Sequence, residues 1–488
     1  MTSYSSQALS TKTTNTINGT APYFTTDGGQ TRITDAEGLL EISLSNGDKY
    51  TPSSNDSSPT QPIVLPIADQ SFADIGMLVP TDSDSIELNS LIGEPYHYWG
   101  DSDGDGQGPD GITATGSLSL SIVDKDNQAV SRDTIPKICN APYKVTLTST
   151  DGTLETNYGV PKSSRFTASN VNYYISPKAS PIACFAKPDM KYSDIEDGQD
   201  FKGLAKEWDP KNGFIPQSYD PSGYNQNFPT TGANGLYFDL KIGGVYQNLT
   251  WEPVSPNGDI KATMRYLNES DTSVVRVILT GPAASGDQIR ASADQITAEA
   301  NLIGTVKKPT LPQVFELVGR GKDSNDNDVV VKYGFVLKQW FVNRGDKKRE
   351  DKYPSDSTNS NRPGSEAPYM QEKWCEKIGY SLSKIKDLTN AKGAECPFDA
   401  ENCEAQNLEG ASIGNYYQRK IAGGLLSEWG VLGKYEMDEG KFDPDNGYWT
   451  SDMSSKGINV YYLVSHLVGK IYGYSNTNFK RTAICTTN

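Results

Sequence analysis

Histidine is nearly absent from this sequence: His97 and His466 are the only two among 488 residues. Both have aromatic or apolar neighbours, and no nucleophile motif of the Gly-x-Ser-x-Gly type introduces either of them. The zinc motif His-Glu-x-x-His and the phosphate-binding loop are missing as well. We therefore expect no enzymatic activity. Carboxylate pairs for sugar hydrolysis leave no local signature, so a polysaccharide-degrading enzyme stays as the less favoured alternative.

Basic residues are also fewer than acidic ones: the chain has 45 Lys and Arg and 61 Asp and Glu, so its net charge is −16. Such a chain repels a nucleic-acid backbone, so no nucleic-acid partner is expected. No apolar run reaches the length of about 18 residues that a transmembrane helix needs, so no transmembrane segment is predicted. The N-terminal residues also lack the pattern of a secretory signal, which leaves the route of export and the anchor open.

The chain instead carries many tyrosines and turn-forming residues: 27 Tyr against 14 Phe, with 45 Gly and 28 Pro. This composition favours β modules joined by turns. In SLSLSIV, Leu118, Leu120 and Ile122 alternate with serines, as in a half-buried strand. Short strand-like segments recur throughout the chain, among them FADIGMLVP, YKVTLTST, VNYYISP, LYFDLKI, SVVRVILTGP and FELVGRG. The predicted fold is mainly β.

Composition shifts predict a flexible tail followed by three domains. The two upstream modules are expected to be β-sandwiches of immunoglobulin-like type, and the C-terminal domain α+β. A helix is predicted over WCEKIGYSLSKIKDLTNA (374–391), where Trp374, Ile378, Leu382, Ile385 and Leu388 recur every three or four residues. The predicted bounds are 1–20 for the tail, 21–190 and 191–325 for the modules, and 326–488 for the last domain with an exposed loop at 344–369.

The six cysteines are expected to form disulfides, because none stands in a Cys-x-x-Cys pair and histidine is too scarce to complete a zinc site. Six cysteines allow 15 pairings. Their distribution along the chain favours Cys139 with Cys184, Cys375 with Cys485, and Cys396 with Cys403. Oxidised cysteines indicate an oxidising compartment, namely the periplasm, the cell surface or the medium.

The C-terminal region resembles the adhesion domain of enterobacterial invasin- and intimin-type surface adhesins. The matching segments are YGFVLKQWFVNRG, WCEKIGYSLSKIKDLTNA, NYYQRKIAGGLLSEWG, GYWTSD and RTAIC. The upstream segments PIVLPIADQSFADIGMLVP, HYWGDSDGDGQGPDGITATGSLSLSIVD and TTGANGLYFDL extend the likeness. The resemblance implies a C-type-lectin-like fold, in which the two ends of the domain pair as strands. It also implies a long disulfide between the first helix and the last strand, where Cys375 and Cys485 stand. The chain departs from the family in having no outer-membrane barrel and no tandem stalk repeats.

The resemblance implies an adhesin, at the bacterial cell surface or extracellular, that binds a host or bacterial cell-surface protein or glycan. The alternative is a secreted interaction partner or toxin subunit of a larger assembly. The calcium-binding triplets of sugar-binding lectins, such as Glu-Pro-Asn and Trp-Asn-Asp, are absent. Candidate ligand contacts are the aromatic residues of the C-terminal motifs, whose rings supply contact area at low entropic cost: Trp429, Tyr435, Tyr448, Trp449, Tyr472 and Tyr474. Trp429 and Trp449 also fit a role in the core.

Two short motifs suggest further sites. Asp101, Asp103 and Asp105 alternate before Gly106, as in calcium loops, with Asp110 as an additional ligand. The twelfth position is Ile112 rather than Glu, so a solvated turn is the competing interpretation. Residues 344–346 spell Arg-Gly-Asp, a tripeptide that integrin-type receptors bind on exposed loops, although so short a motif also arises by chance.

Overall fold

The fold is known from a computed structural model, which describes residues 19–102, 111–157, 159–245, 247–269, 271–291, 304–322, 327–345, 367–391, 416–435, 442, 447–453, 461–474 and 481–487. The chain divides into two compact units, Met1–Ser180 and Pro181–Asn488. Strands dominate both units, and Pro368–Ile378 is the one α-helix longer than five residues in the described ranges. The prediction of a mainly β fold is confirmed.

The first unit contains twelve strands among its described residues. In chain order they are β1 (Tyr23–Phe24), β2 (Ile42–Ser43), β3 (Lys49–Tyr50), β4 (Ile63–Val64), β5 (Ser85–Glu87), β6 (Trp99–Gly100), β7 (Thr113–Thr115), β8 (Ser117–Val123), β9 (Tyr143–Ser149), β10 (Gly152–Glu155), β11 (Ser163–Phe166) and β12 (Ser169–Ser176). The helical elements are α1 (Ala36–Leu39) and the 3-10 turns Phe72–Asp74, Leu88–Leu91 and Ile138–Asn140. The main sheets have the orders β4-β12-β9-β8-β5 and β11-β10-β7.

Strand β8 forms as its alternation predicts. Leu118, Leu120 and Ile122 are buried in the core of the first unit, while the serines between them face outward. Strand β9 pairs antiparallel with β12, with Val145 opposite Tyr173. The alternation of apolar and polar residues predicts strand β8 correctly because one face of the sheet packs on the core and the other faces solvent.

The segment FADIGMLVP is not a strand, contrary to the prediction. Phe72–Asp74 forms a 3-10 turn, and the Asp74 carboxylate accepts hydrogen bonds from the backbone N–H and the hydroxyl of Ser71. This capping arrangement closes a turn, and Phe72 and Ile75 still reach the core. Apolar content alone does not distinguish a buried strand from a buried turn.

The second unit contains the remaining strands. They are β13 (Ile182–Lys187), β14 (Ile195–Glu196), β15 (Gln199–Asp200), β16 (Trp208–Asp209), β17 (Gly213–Phe214), β18 (Thr231–Ala233), β19 (Tyr237–Gly243), β20 (Thr250–Trp251), β21 (Lys261–Tyr266), β22 (Val274–Thr280), β23 (Gln313–Lys322), β24 (Asp328–Leu337), β25 (Gln339–Asn343), β26 (Ser381–Leu382), β27 (Tyr448–Met453), β28 (Tyr461–Val464), β29 (Ile471–Tyr474) and β30 (Thr482–Thr486). The helices are α2 (Gly286–Arg290), α3 (Pro368–Ile378), α4 (Ile385–Leu388) and α5 (Leu425–Trp429), with 3-10 turns at Pro221–Gln226 and Leu432–Lys434.

Three sheets organise the second unit. Their orders are β16-β17-β13-β19-β22-β21, β20-β23-β24 and β18-β25-β30-β27-β28-β29, with β26 added beside β30. Strands β23 and β24 form a hairpin paired over ten residues, from Gln313 opposite Leu337 to Lys322 opposite Asp328. The domain boundary predicted at 325/326 falls within this hairpin. One continuous hydrophobic core contains residues from Ala183 to Cys485. The predicted division of this region into separate domains, 191–325 and 326–488, stays a prediction.

The predicted helix over 374–391 is interrupted. Helix α3 ends at Gly379, whose φ of +94° is a left-handed conformation that favours glycine. Ser381–Leu382 then forms the short strand β26 and Ile385–Leu388 the helix α4. The apolar spacing persists because Ile378, Leu382, Ile385 and Leu388 are all buried, but three different elements supply them.

The disulfide between Cys375 and Cys485 is present and joins α3 to β30. Strand β30 also pairs antiparallel with β25, so the two ends of the C-terminal region meet as strands. Both features agree with what the family resemblance implies, while membership of that family stays a prediction. Cys139 and Cys184 are also disulfide-bonded, and their predicted pairing with each other stays a prediction. Cys396 and Cys403 lie outside the described residues.

Candidate functional site

An aromatic surface lies on the hairpin of β28 and β29. Tyr461 stands opposite Tyr474, and Leu463 opposite Tyr472. Residues directly opposite each other in an antiparallel pair point to the same face. We call the three partly exposed rings on this face, Tyr461, Tyr472 and Tyr474, the tyrosine strip. The alternate residues Tyr462, Val464 and Ile471 are buried in the core on the other face.

Two buried residues, Leu463 and Trp449, lie on the same face as the tyrosine strip and beside its rings. Trp449 stands opposite Leu463 on β27 and is only 1% exposed. Its ring packs edge-on against Tyr474 with 5.9 Å between ring centroids, and Tyr472 and Tyr474 are 6.4 Å apart. Rings fixed in this way lose little conformational entropy on binding a ligand. Among the described residues, strand β29 ends the order of its sheet, so the strip lies at that edge.

A lysine lies beside the strip. The Lys470 ammonium is 5.4 Å from the ring centroid of Tyr472 and 5.6 Å from that of Tyr416. Cation–π contacts at this distance hold an ammonium over the ring faces. Lys470 and Tyr416 are themselves partly exposed. The hairpin therefore presents aromatic rings and a positive charge together.

Of the six aromatic residues predicted as ligand contacts, only Tyr472 and Tyr474 reach the surface. The other four are at most 2% exposed and belong to the core: Trp429, Tyr435, Tyr448 and Trp449. Their predicted role as ligand contacts does not fit this burial. For Trp429 and Trp449 the competing interpretation as core residues fits. Sequence patterns indicate aromatic content but do not say which neighbouring element covers each ring.

Beside Trp429, Glu428 forms a buried polar centre that the sequence reasoning missed. Its carboxylate, which has no exposed surface, accepts hydrogen bonds from the N–H and hydroxyl groups of Thr230 and Thr231 and from the N–H of Ala422. Burial raises the pKa of Glu428, while these donors act in the opposite direction. A glutamate in the apolar stretch LLSEWG is the sequence signal for such a centre.

Arg419 fastens a neighbouring loop to the same region. Its guanidinium donates to the backbone carbonyls of Asp189, Lys191 and Tyr192, and lies 4.9 Å from the Trp208 ring centroid. Burial raises the pKa of Asp189 against the lowering effect of the Arg419 charge. Arg419 and Glu428 are completely buried. Neither side chain can contact a ligand without unfolding, so both stabilise the fold and neither belongs to the binding site.

The Arg-Gly-Asp tripeptide has a buried arginine. Arg344 is 0% exposed, donates to the side-chain oxygen of Gln371 and the carbonyl of Ala291, and lies 4.9 Å from the Trp374 ring centroid. A receptor that reads this tripeptide needs the arginine at the surface, and this arginine is part of the core. Asp346 lies outside the described residues. The receptor motif suggested by the sequence therefore does not fit the fold at Arg344.

The calcium loop lies mostly outside the described residues. Asp101 is 6% exposed and accepts a hydrogen bond from the Thr20 hydroxyl, whereas Asp103, Asp105 and Asp110 are not described. Within the described ranges, no group of three or more His, Cys, Asp or Glu side chains is placed to hold a metal. Calcium binding at this loop stays a prediction.

The remaining polar groups and the one described depression are weaker candidates for a binding site than the tyrosine strip. His97 lies 3.0 Å from Glu94 in an exposed pair, and His466 is 8% exposed. A depression of about 390 Å³ lies between residues 258–259, 282–283, 288 and 305–307, where the Asp259 carboxylate is already paired with Lys307. No helix among the described residues is long and apolar enough to cross a membrane.

Comparison with known proteins finds no matching family model and no matching curated protein. Among solved structures, the chain is similar to the Bacteroides ovatus mixed-linkage glucan utilization locus protein SGBP-B in complex with a mixed-linkage heptasaccharide. The identity is 14%, the TM-score 0.11, and the likeness covers 48% of this chain and 38% of that one. It is also similar to the N-terminal eight Ig domains of Down Syndrome Cell Adhesion Molecule, with 9% identity, a TM-score of 0.12, and coverage of 48% and 34%. The chain spans less than two thirds of either structure, and these scores are too low to define a relationship.

Proposed function

We propose that this chain is an extracellular binding protein of the adhesin type, whose tyrosine strip docks onto a protein or glycan of a host or neighbouring cell. One observation carries the proposal: three partly exposed tyrosines share one face of an edge hairpin. Tyrosine is enriched at recognition surfaces because its ring supplies apolar contact area and its hydroxyl a hydrogen bond. The formed disulfides fit an oxidising compartment.

Rigidity of the supporting sheet strengthens this proposal. Strand β27, which carries Trp449, pairs with β30, and β30 is tied through Cys485 to helix α3. A ligand that meets this surface encounters rings already in place, so less of the binding energy is spent on ordering them. The upstream β modules would then act as spacers that carry the strip away from the cell.

The test is binding of the whole oxidised chain, fluorescently labelled, to cultured epithelial cells and to an array of glycans and cell-surface proteins. The double variant Tyr472→Ala/Tyr474→Ala is expected to bind roughly 30-fold more weakly, equivalent to about 2 kcal/mol for lost aromatic anchors. Tyr369→Ala is the matched control, because Tyr369 lies on helix α3 and is 48% exposed. Near-UV circular dichroism verifies that all variants are folded.

Two results would contradict the proposal. One is equal binding by the wild type and the double variant. The other is no binding of the wild type to any cell or array component. Stoichiometric capture of one secreted protein, with no binding to cells, would instead favour the alternative of a subunit in a larger assembly.

A further inference from the structure

The outer face of the six-stranded sheet carries a cluster of basic side chains. In one cross-strand row, Lys187 stands opposite Asp239, Asp239 opposite Arg276, and Arg276 opposite Arg265. These side chains share a face because directly paired residues point the same way. We call Lys187, Arg276 and Arg265 the basic row.

The opposite face of these strands is core, which fixes the orientation of the basic row. Ala186, Leu240 and Val275 are fully buried, and each precedes or follows a member of the row or Asp239 along its own strand. The row itself is accessible: Arg265 is exposed, and Lys187 and Arg276 are partly exposed. The row therefore lies on the face of these strands opposite Ala186, Leu240 and Val275.

Neighbouring rows on this face add further cations. Lys241 lies two residues from Asp239 and stands opposite Phe185, while Lys261 lies on the same face of β21 as Arg265. Lys261 is exposed, and Lys241 and Phe185 are partly exposed. On this face, one carboxylate, that of Asp239, lies among five cationic side chains. These are Lys187, Lys241, Lys261, Arg265 and Arg276. This balance is the reverse of the whole chain, whose net charge is −16.

Among these side chains, the Lys241 ammonium donates a hydrogen bond to the side-chain oxygen of Asn212. Asp239 pairs with Arg276. It accepts from Nε and Nη2 of Arg276 at 2.8 and 3.0 Å, and the same guanidinium lies 3.9 Å from the Tyr237 ring centroid. Arg276 is therefore held in one position. Arg265 stands directly opposite it on the next strand and adds a like charge, which disfavours this cross-strand pair.

We propose that this face binds an acidic polysaccharide, a glycan that carries carboxylate or sulfate groups. Guanidinium groups bind such anions through two parallel hydrogen bonds. Neighbouring strands are about 4.8 Å apart, so Arg276 is one strand spacing from Arg265 and two from Lys187. Phe185, beside Lys241, offers an apolar surface for a sugar ring. Duplex DNA is the competing polyanion, and the test below includes it. This site is independent of the tyrosine strip.

The experiment measures binding of the whole chain to heparin, which is sulfated, to hyaluronan, which carries carboxylates alone, and to neutral dextran. The double variant Lys261→Gln/Arg265→Gln is expected to lose at least about tenfold in affinity for an acidic polymer. The matched control, Lys125→Gln/Arg320→Gln, removes the same charge from two exposed positions outside this sheet, a turn and a strand of another sheet, and is expected to change affinity less than about twofold. Wild-type affinity is expected to fall as salt rises, with a smaller slope for the first variant.

Four results would overturn the proposal. They are failure of both acidic polymers to bind at low salt, equal losses in the two double variants, dextran binding as tight as that of the acidic polymers, and duplex DNA binding as tight as heparin. Since all four substitutions are at exposed positions, the variants are expected to fold, which a thermal melt verifies. Loss of the tyrosine strip has no effect on this readout.

Discussion

At the scale of single residues, burial separates the roles of chemically similar side chains. Tyr472 and Tyr474 remain at the surface, whereas Tyr435 donates its hydroxyl hydrogen to the carbonyl of Trp429 inside the core. Arg265 is exposed, whereas Arg344 and Arg419 have no accessible surface. Residue type alone therefore predicts neither a binding role nor a structural one. Only the surrounding elements decide which of these groups a ligand can reach.

Glu428 gives a prediction at this scale, because burial raises its pKa in the folded chain above the ordinary value of 4.5. The folded protein then holds this proton at a higher pH than the unfolded chain does. The stabilisation from Glu428 is accordingly complete below about pH 4.5 and is lost as pH rises through the folded pKa. Glu428→Gln cannot ionise and lacks this dependence.

We expect Glu428→Gln to be less stable than the wild type by about 1–3 kcal/mol at pH 4.5. The amide NH₂ would face donors such as Thr231 or Ala422 and leave them unsatisfied. This deficit is expected to shrink as pH rises to 8. Urea unfolding followed by tryptophan fluorescence measures it, and a deficit that grows with pH would refute the assignment.

At the scale of elements, the sequence predicted strands better than helices. The alternating strand β8 could be predicted because one face of its sheet meets the core. The helix over 374–391 could not, because Gly379 takes a left-handed conformation that ends α3 while the apolar spacing continues. Of the tyrosine strip, the sequence indicates Tyr472 and Tyr474 as ligand contacts, but not Tyr461. Its place follows from pairing with Tyr474, a register that the sequence does not reveal.

A second prediction concerns which fragment of the second unit can fold by itself. Residues 326–488 alone are expected not to fold, because residues before 326 supply strand β18 beside β25, strand β23 beside β24, and four of the five donor groups to Glu428. Residues 181–488 contain all of these partners and are expected to unfold cooperatively. Thermal melts and NMR dispersion of both fragments measure this. A cooperative transition of the shorter fragment would show that its fold is independent.

At the scale of the whole molecule, the chain is a mainly β protein of two compact units, and the disulfide between Cys375 and Cys485 cross-links the core of the second. The second unit carries both proposed surfaces, the tyrosine strip on one sheet and the basic row on another. If both proposals hold, the tyrosine strip and the basic row would let the chain attach to a cell surface that carries both proteins and acidic carbohydrate.

The disulfide provides the prediction at this scale. Cys375 and Cys485 are separated by 110 residues, so their bridge restricts a long loop of the unfolded chain. Replacing both by serine is expected to lower the free energy of unfolding by about 4–5 kcal/mol. The predicted short bridge of Cys396 with Cys403 serves as the comparison, since its replacement by serine should cost less. Equal costs in urea unfolding would contradict the role given to the long bridge.

The central claim is that the tyrosine strip is the recognition surface. The most direct measurement is the equilibrium binding curve of the whole oxidised chain on epithelial cells, recorded in parallel for Tyr472→Ala/Tyr474→Ala and Tyr369→Ala. We predict a curve shifted to roughly 30-fold higher concentration for the strip variant and an unshifted curve for the control. Superimposed curves for wild type, strip variant and control would contradict the account.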